Sequence, residues 1–115
     1  MSFPTQLTSK TEELFQIVYP TLKRFPRYEI PNLVAFIKKA FVDALTYLRL
    51  AQQVASKRKS YLIEADLSLQ TALSCFIISS KNKYISLSFF YIIREKLEEI
   101  RIILSKQLKS GKVIE

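Results

Sequence analysis

Acid–base chemistry in this chain would have to come from Asp43, Asp66, eight glutamates and a single thiol, Cys75; there is no histidine. Without histidine, the Ser-His-Asp and Cys-His arrangements and the commonest metal ligand are gone. One cysteine with no histidine leaves no set for a structural zinc site and no pair for an intrachain disulfide. Small four-helix ribonucleases whose cleavage depends on a histidine are excluded as well. A pair of glutamates could still act as acid and base. Most of them, however, stand beside lysine or arginine, as in "REKLEEIR", which is the pattern of a salt-bridged solvated helix face. Cys75 lies in the apolar stretch "LSCFII" and reads as a small buried hydrophobe, because a reactive thiol wants a basic, exposed setting. The expected class is therefore non-enzymatic, with no metal and no cofactor.

The remaining chemistry is electrostatic. Eighteen lysines and arginines against ten acids give a net charge of +8. On 115 residues that implies attraction to something anionic. Nucleic acid, an acidic protein surface and anionic lipid all qualify; charge kept for solubility alone is the plainer alternative. The cations are gathered. "KRFPR" holds Lys23, Arg24 and Arg27, "KRK" holds Lys57, Arg58 and Lys59, and "KNK" holds Lys81 and Lys83. Lys38, Lys39 and Arg49 fall on the outer face of a helix. From these the candidate contacts for nucleic acid or a partner are Arg24, Arg27, Lys38, Lys39, Lys57, Arg58 and Lys59. Basic groups near helix C-termini also complement the helix dipole, a reading that covers Lys23, Arg24 and Lys81 equally well. Tyr28 and Tyr84, each beside basic residues, either stack on a base or peptide or edge the core.

Helices must hold these residues. Glycine occurs only at Gly111, period-two alternation is missing, and apolar residues recur at spacings of three and four. The first helix is expected from about Lys10 to Phe25, with Ser9 and Glu12 as a capping box. Leu14, Ile17 or Val18, Leu22 and Phe25 face inward, and Pro20 either kinks the helix or splits it into two pieces. The second runs from about Pro31 to Ala55 on a stripe of Leu33, Ile37, Phe41 or Ala40, Ala44, Leu48, Ala51 and Ala55. The third runs from about Ser60 to Lys81, with Leu62, Ala65, Leu69, Ala72 and Phe76 inward. The fourth runs from about Leu87 to Lys109, capped by Ser86, with Phe90, Ile93, Leu97, Ile100 and Leu104 inward and Gly111 marking its stop. Pro26 and Pro31 bracket the first connector and push Phe25 and Ile30 out of the helical region. The chain is expected to be one domain over 1–115, with 1–8 and 111–115 loose. Short connectors make antiparallel neighbours, so the expected fold is an all-α, up-down four-helix bundle. The first and third connectors then share one end, and "KRK" takes the other.

Apolar surface exceeds what one such bundle needs. Ile63, Leu67, Ile77 and Ile78 fall on a second face of the third helix. Phe89, Tyr91, Ile92, Ile102 and Ile103 do the same on the fourth. Large exposed apolar surface marks an interface, so a homo-oligomer is expected; deeper burial within one chain is the alternative. The longest purely apolar runs, "CFII" and "FFYII", fall far short of the roughly 20 residues of a membrane span. "MSFPTQLTSK" lacks the signal-peptide pattern. The expected compartment is the cytoplasm, with no membrane partner.

Two stretches, "LKRFPRYEIPNL" and "YLIEADLSLQTALSCFIISSKNKYISLSFFYIIREKLEEIRIILSKQLKS", resemble the accessory proteins of diversity-generating retroelements. The resemblance covers about residues 11–110, through "FPR" after a first helix, "EAD" opening the third, "ISLSFF" entering the fourth and "LKSG" closing it. Four-helix proteins encoded in intervening sequences of ribosomal RNA genes are more distantly similar. The first resemblance implies a homopentameric barrel of four-helix bundles whose basic surface binds a reverse transcriptase and structured RNA or RNA/DNA, in support of mutagenic reverse transcription. The second implies a structural bundle with an unnamed protein or RNA partner. Members of the first family often carry two arginines one turn apart on the third helix, where this chain has Leu73 and Ile77. A third frequent arginine, in the first connector, is replaced by Ile30.

Overall fold

Pro20 ends the first helix. In the computed structural model, which describes residues 5–109, α1 spans Gln6–Val18 and passes at once into a 3₁₀ turn, Tyr19–Arg24. Proline has no N–H for the carbonyl one turn back, and its ring crowds that carbonyl. Of the two outcomes expected at Pro20, the chain takes the split. α1 also begins four residues earlier than expected, so residues 6–8 are helical and not loose. Ser9 does not form the capping box; its hydroxyl donates to the carbonyls of Thr5 and Gln6 from inside the helix.

Phe25 is extended before Pro26, as expected for the residue ahead of a proline (ψ 150°). Ile30, before Pro31, is helical instead (φ −57°, ψ −48°). The chain accommodates this with a wide π-type turn, Ile30–Val34. The Glu29 carboxylate accepts from the Leu33 N–H at 3.4 Å, and the Asn32 side chain donates to the Tyr28 carbonyl at 2.9 Å. α2 follows as Ala35–Gln53, α3 as Arg58–Lys81 and α4 as Leu87–Lys109. Ser86 caps α4, its Oγ accepting from the Phe89 N–H at 3.1 Å. α3 closes with paired bonds from Tyr84 N–H to the Ser79 carbonyl and from Lys83 N–H to the Ser80 carbonyl. Lys83 stands there in the left-handed region (φ 62°), where glycine is the usual occupant. The Gly111 stop lies outside the described residues.

Side-chain pairs fix the helix directions. Phe15 stacks on Phe41 with centroids 4.8 Å apart, joining α1 to α2, and Phe41 meets Phe76 of α3 at 6.2 Å. Asp66, early in α3, bonds Arg101, late in α4. Lys10, early in α1, pairs with Glu99, also late in α4. Each helix thus lies antiparallel to its neighbour, and the described residues form four helices in one all-helical globule of 46 × 25 × 18 Å. The inward stripes predicted for α2, α3 and α4 are buried, apart from Ala55, which falls in a 3₁₀ turn beyond α2 and is exposed. Ala40, Ala44 and Ala51 are buried on α2 and Ala65 and Ala72 on α3, and these two helices share the most extensive contact between elements.

α3 is apolar on opposite faces. Leu62, Ala65, Leu69, Ala72, Cys75 and Phe76 are buried, while Ile63, Leu67, Ile77 and Ile78 stand 37–50% exposed across from them. Among the described residues, one helix, Ala55–Lys81, is therefore long and apolar enough to cross a membrane by length and composition, its most apolar 18-residue window having a mean hydropathy of 1.3. Apolar run lengths missed this because Glu64, Asp66 and scattered Ser, Thr and Gln interrupt the helix without lowering its mean hydropathy far. In the fold, α2 and α4 pack against it, and 39% of that window is buried.

Candidate nucleic-acid interface

The first and third connectors meet at one end of the molecule. Tyr84 Oη donates to Glu29 Oε2 at 2.9 Å and lies 3.0 Å from Tyr28 Oη. Its ring rests on Phe25 at 5.3 Å. The bond shared with Tyr28, burial and the Glu29 charge together push the Tyr84 phenol well above its ordinary 10.0. Arg24 lines a cleft with Thr21, Tyr84, Ile85, Ser86 and Phe89. Lys23, Arg24, Arg27, Lys81 and Lys83 are all exposed around this network. The two tyrosines differ: Tyr84 is half-buried and anchored, whereas Tyr28 is 67% exposed.

The "KRK" connector divides by role. Arg58 Nε donates to the Ala51 carbonyl at 2.6 Å and Nη2 to the Gln52 carbonyl at 3.2 Å, so this guanidinium caps α2. Lys57 and Lys59 are exposed and border a shallow groove with Ser56, Ser60 and Ile63. The two lysines of α2 are also engaged. Lys39 Nζ pairs with Asp43 Oδ2 at 2.6 Å, a hydrogen bond and charge pair that raise its pKa. Lys38 Nζ lies 5.2 Å over the Tyr19 ring. Of the seven candidate contacts, Arg24 and Arg27 stand at one end and Lys57 and Lys59 at the other, while Lys38, Lys39 and Arg58 hold internal partners.

Along "REKLEEIR" the charges reach across helices more than along their own. Arg101 bonds Asp66 at 2.8 Å, a hydrogen bond that, with the carboxylate charge, raises the guanidinium pKa; Glu98 adds a weaker contact at 4.0 Å. Arg94 lies over the rings of Phe90 and Tyr91. Cys75 is buried, and desolvation raises its thiol pKa. At the positions where the resembled family often has arginine, Leu73 packs on the core, and Ile77 and Ile30 are exposed. Among the described residues, no three His, Cys, Asp or Glu side chains come together as a metal site. The Glu29–Tyr84–Tyr28 network escaped the sequence reading, since its partners lie 55 and 56 residues apart. Comparison with family models, curated proteins and solved structures finds no match.

Proposed function

We propose that this chain is a non-enzymatic accessory factor of a diversity-generating retroelement. It assembles as a homo-oligomer, a pentamer by the resemblance, and binds reverse transcriptase and structured template RNA through basic surfaces. The observation that carries this reading is the pairing of an exposed, uncharged apolar face on α3 with exposed cations at both ends of the molecule. Apolar surface of that kind fits a protein partner, and ends rich in lysine and arginine fit phosphate.

The test is a salt titration of binding to a structured RNA, with solution mass fixed beforehand by light scattering. The expected result is an oligomer whose log affinity falls steeply and linearly with log salt, and which weakens on charge reversal of Arg24 and Arg27 or of Lys57 and Lys59. A monomer, or an oligomer that ignores RNA at low salt, overturns the reading.

A further inference from the structure

We infer that the end where the first and third connectors meet, the connector end, is the surface that takes unpaired nucleotides, with a backbone phosphate on Lys83 and a base on the ring of Tyr28. This rests on the nucleic-acid reading above and names the end and the residues that carry it. Three observations converge there.

The first is the balance of free charge. Among the described residues, Lys23, Arg24, Arg27, Lys81 and Lys83 make no ion pair. The acid amid them, Glu29, is already bonded to Tyr84 and the Leu33 N–H. At the opposite end Arg58 is committed to the α2 carbonyls, which leaves Lys57 and Lys59, joined by exposed Arg49 of α2 and Lys106 and Lys109 of α4. Phosphate binding scales with the number of cations offered, so free charge qualifies this end for phosphate, and the next two observations single it out from the other.

The second is a prepared aromatic. Tyr28 is 67% exposed, yet its hydroxyl is held 3.0 Å from Tyr84 Oη. Tyr84 in turn is fixed by Glu29 and Phe25. An exposed ring pinned at its tip has lost its rotamer freedom before a base arrives, so stacking on it meets a smaller entropic penalty.

The third is Lys83 itself. The paired bonds that close α3 need a residue with positive φ, and glycine meets that need without strain. Lysine adds nothing to those bonds, and Lys81 already supplies a cation to the last turn of α3. What lysine brings and glycine lacks is a charged side chain at the tip of the connector. Residues held in such sparsely populated backbone regions cluster at ligand sites.

The experiment measures binding to an RNA hairpin with an unpaired loop, and to a blunt duplex of the same stem, over a range of salt. The expected result is that Lys83→Gly raises Tm by about 4 °C yet weakens hairpin binding and lowers the salt slope by about 0.7. Lys83→Asn, which tolerates the left-handed region, weakens binding equally, and Lys83→Arg restores it. Tyr28→Ala loses about tenfold or more on the hairpin and little on the duplex; Tyr28→Phe, which keeps the ring, loses less. If Lys83→Gly and Tyr28→Ala bind as the parent does while the double reversal of Lys57 and Lys59 abolishes binding, the inference is overturned and the functional reading stands. Failure of the parent chain to bind either RNA at low salt overturns both.

Discussion

Within "KRK", three adjacent cations have been given two jobs by the position of one helix end. Arg58 turns inward because α2 stops at Gln53 and leaves carbonyls that need donors; Lys57 and Lys59 face solvent. Arg58→Ala should therefore lower unfolding free energy by about 1.5–3 kcal/mol, the range for hydrogen bonds that involve a charged group. Lys57→Ala and Lys59→Ala should leave denaturation midpoints within experimental scatter. Chemical denaturation of the three variants checks this, and equal midpoints would remove the capping role. The sequence could not separate these residues, since charge alone describes all three. Tyr84 presents a second test at this scale. Its phenol is held neutral above the ordinary pH 10.0 in the fold, so its share of stability is complete below that pH and fades as pH climbs through the raised folded value. In an ultraviolet titration of the six tyrosines, one should ionise after the rest. Tyr28→Phe should bring it down, because the shared hydroxyl bond is the largest cause of the shift. Six indistinguishable tyrosines would contradict the network.

Helix identity was legible in the sequence wherever burial repeats at three and four, and its limits lay at the ends. α1 shows both. Its buried set is Leu7, Thr11, Leu14 and Val18, spaced four, three and four. Reading Ser9 and Glu12 as a cap hid the first two, because Thr11 is polar. Thr11 is buried without penalty, since its Oγ1 donates to the Leu7 carbonyl at 2.7 Å. Ile30 departs from its expectation for a different reason: side-chain bonds from Asn32 and to Glu29 stabilise a wide turn that the local preference before proline disfavours. Between helices, the α3–α4 pairing depends on Asp66 and Arg101, whose side chains are only 22% and 28% exposed. Gln70 Nε2 holds the same carboxylate at 2.7 Å. A double-mutant cycle on Asp66→Ala and Arg101→Ala should return a coupling of about 1 kcal/mol, above the value for a fully solvated pair. A coupling indistinguishable from zero would show that packing alone holds these helices together.

At the scale of the whole molecule, the exposed aliphatics of α3 raise a question of area. Ile63 to Ile78 spans about 22 Å of helix, and a strip about 10 Å wide offers about 220 Å². A stable interface needs about 800 Å² per partner. The α3 face is too small alone, so any contact centred on it must spread onto a neighbouring helix. Exposed Phe36 and Val42 stand on α2, and exposed Tyr91, Ile92 and Ile102 on α4. A closed ring with an odd number of subunits needs two different patches per chain, because every contact in it is head-to-tail. The proposed pentamer therefore predicts more than a mass. Leu67→Glu should break the patch centred on α3, and Ile92→Glu the patch on α4. Each variant should keep its helicity, both residues being about half exposed, and each should run alone at the 13.4 kDa of one chain. Mixed, they should pair once, the intact α4 patch of the first against the intact α3 patch of the second, and stop at twice that mass. A two-fold contact in which the α3 patch meets its own counterpart gives no such rescue, since each partner would need the same patch intact. Light scattering on the parent and on the mixture together decides between a ring and a symmetric dimer. Variants that both keep the parent's oligomeric mass would show that these patches are not the interface.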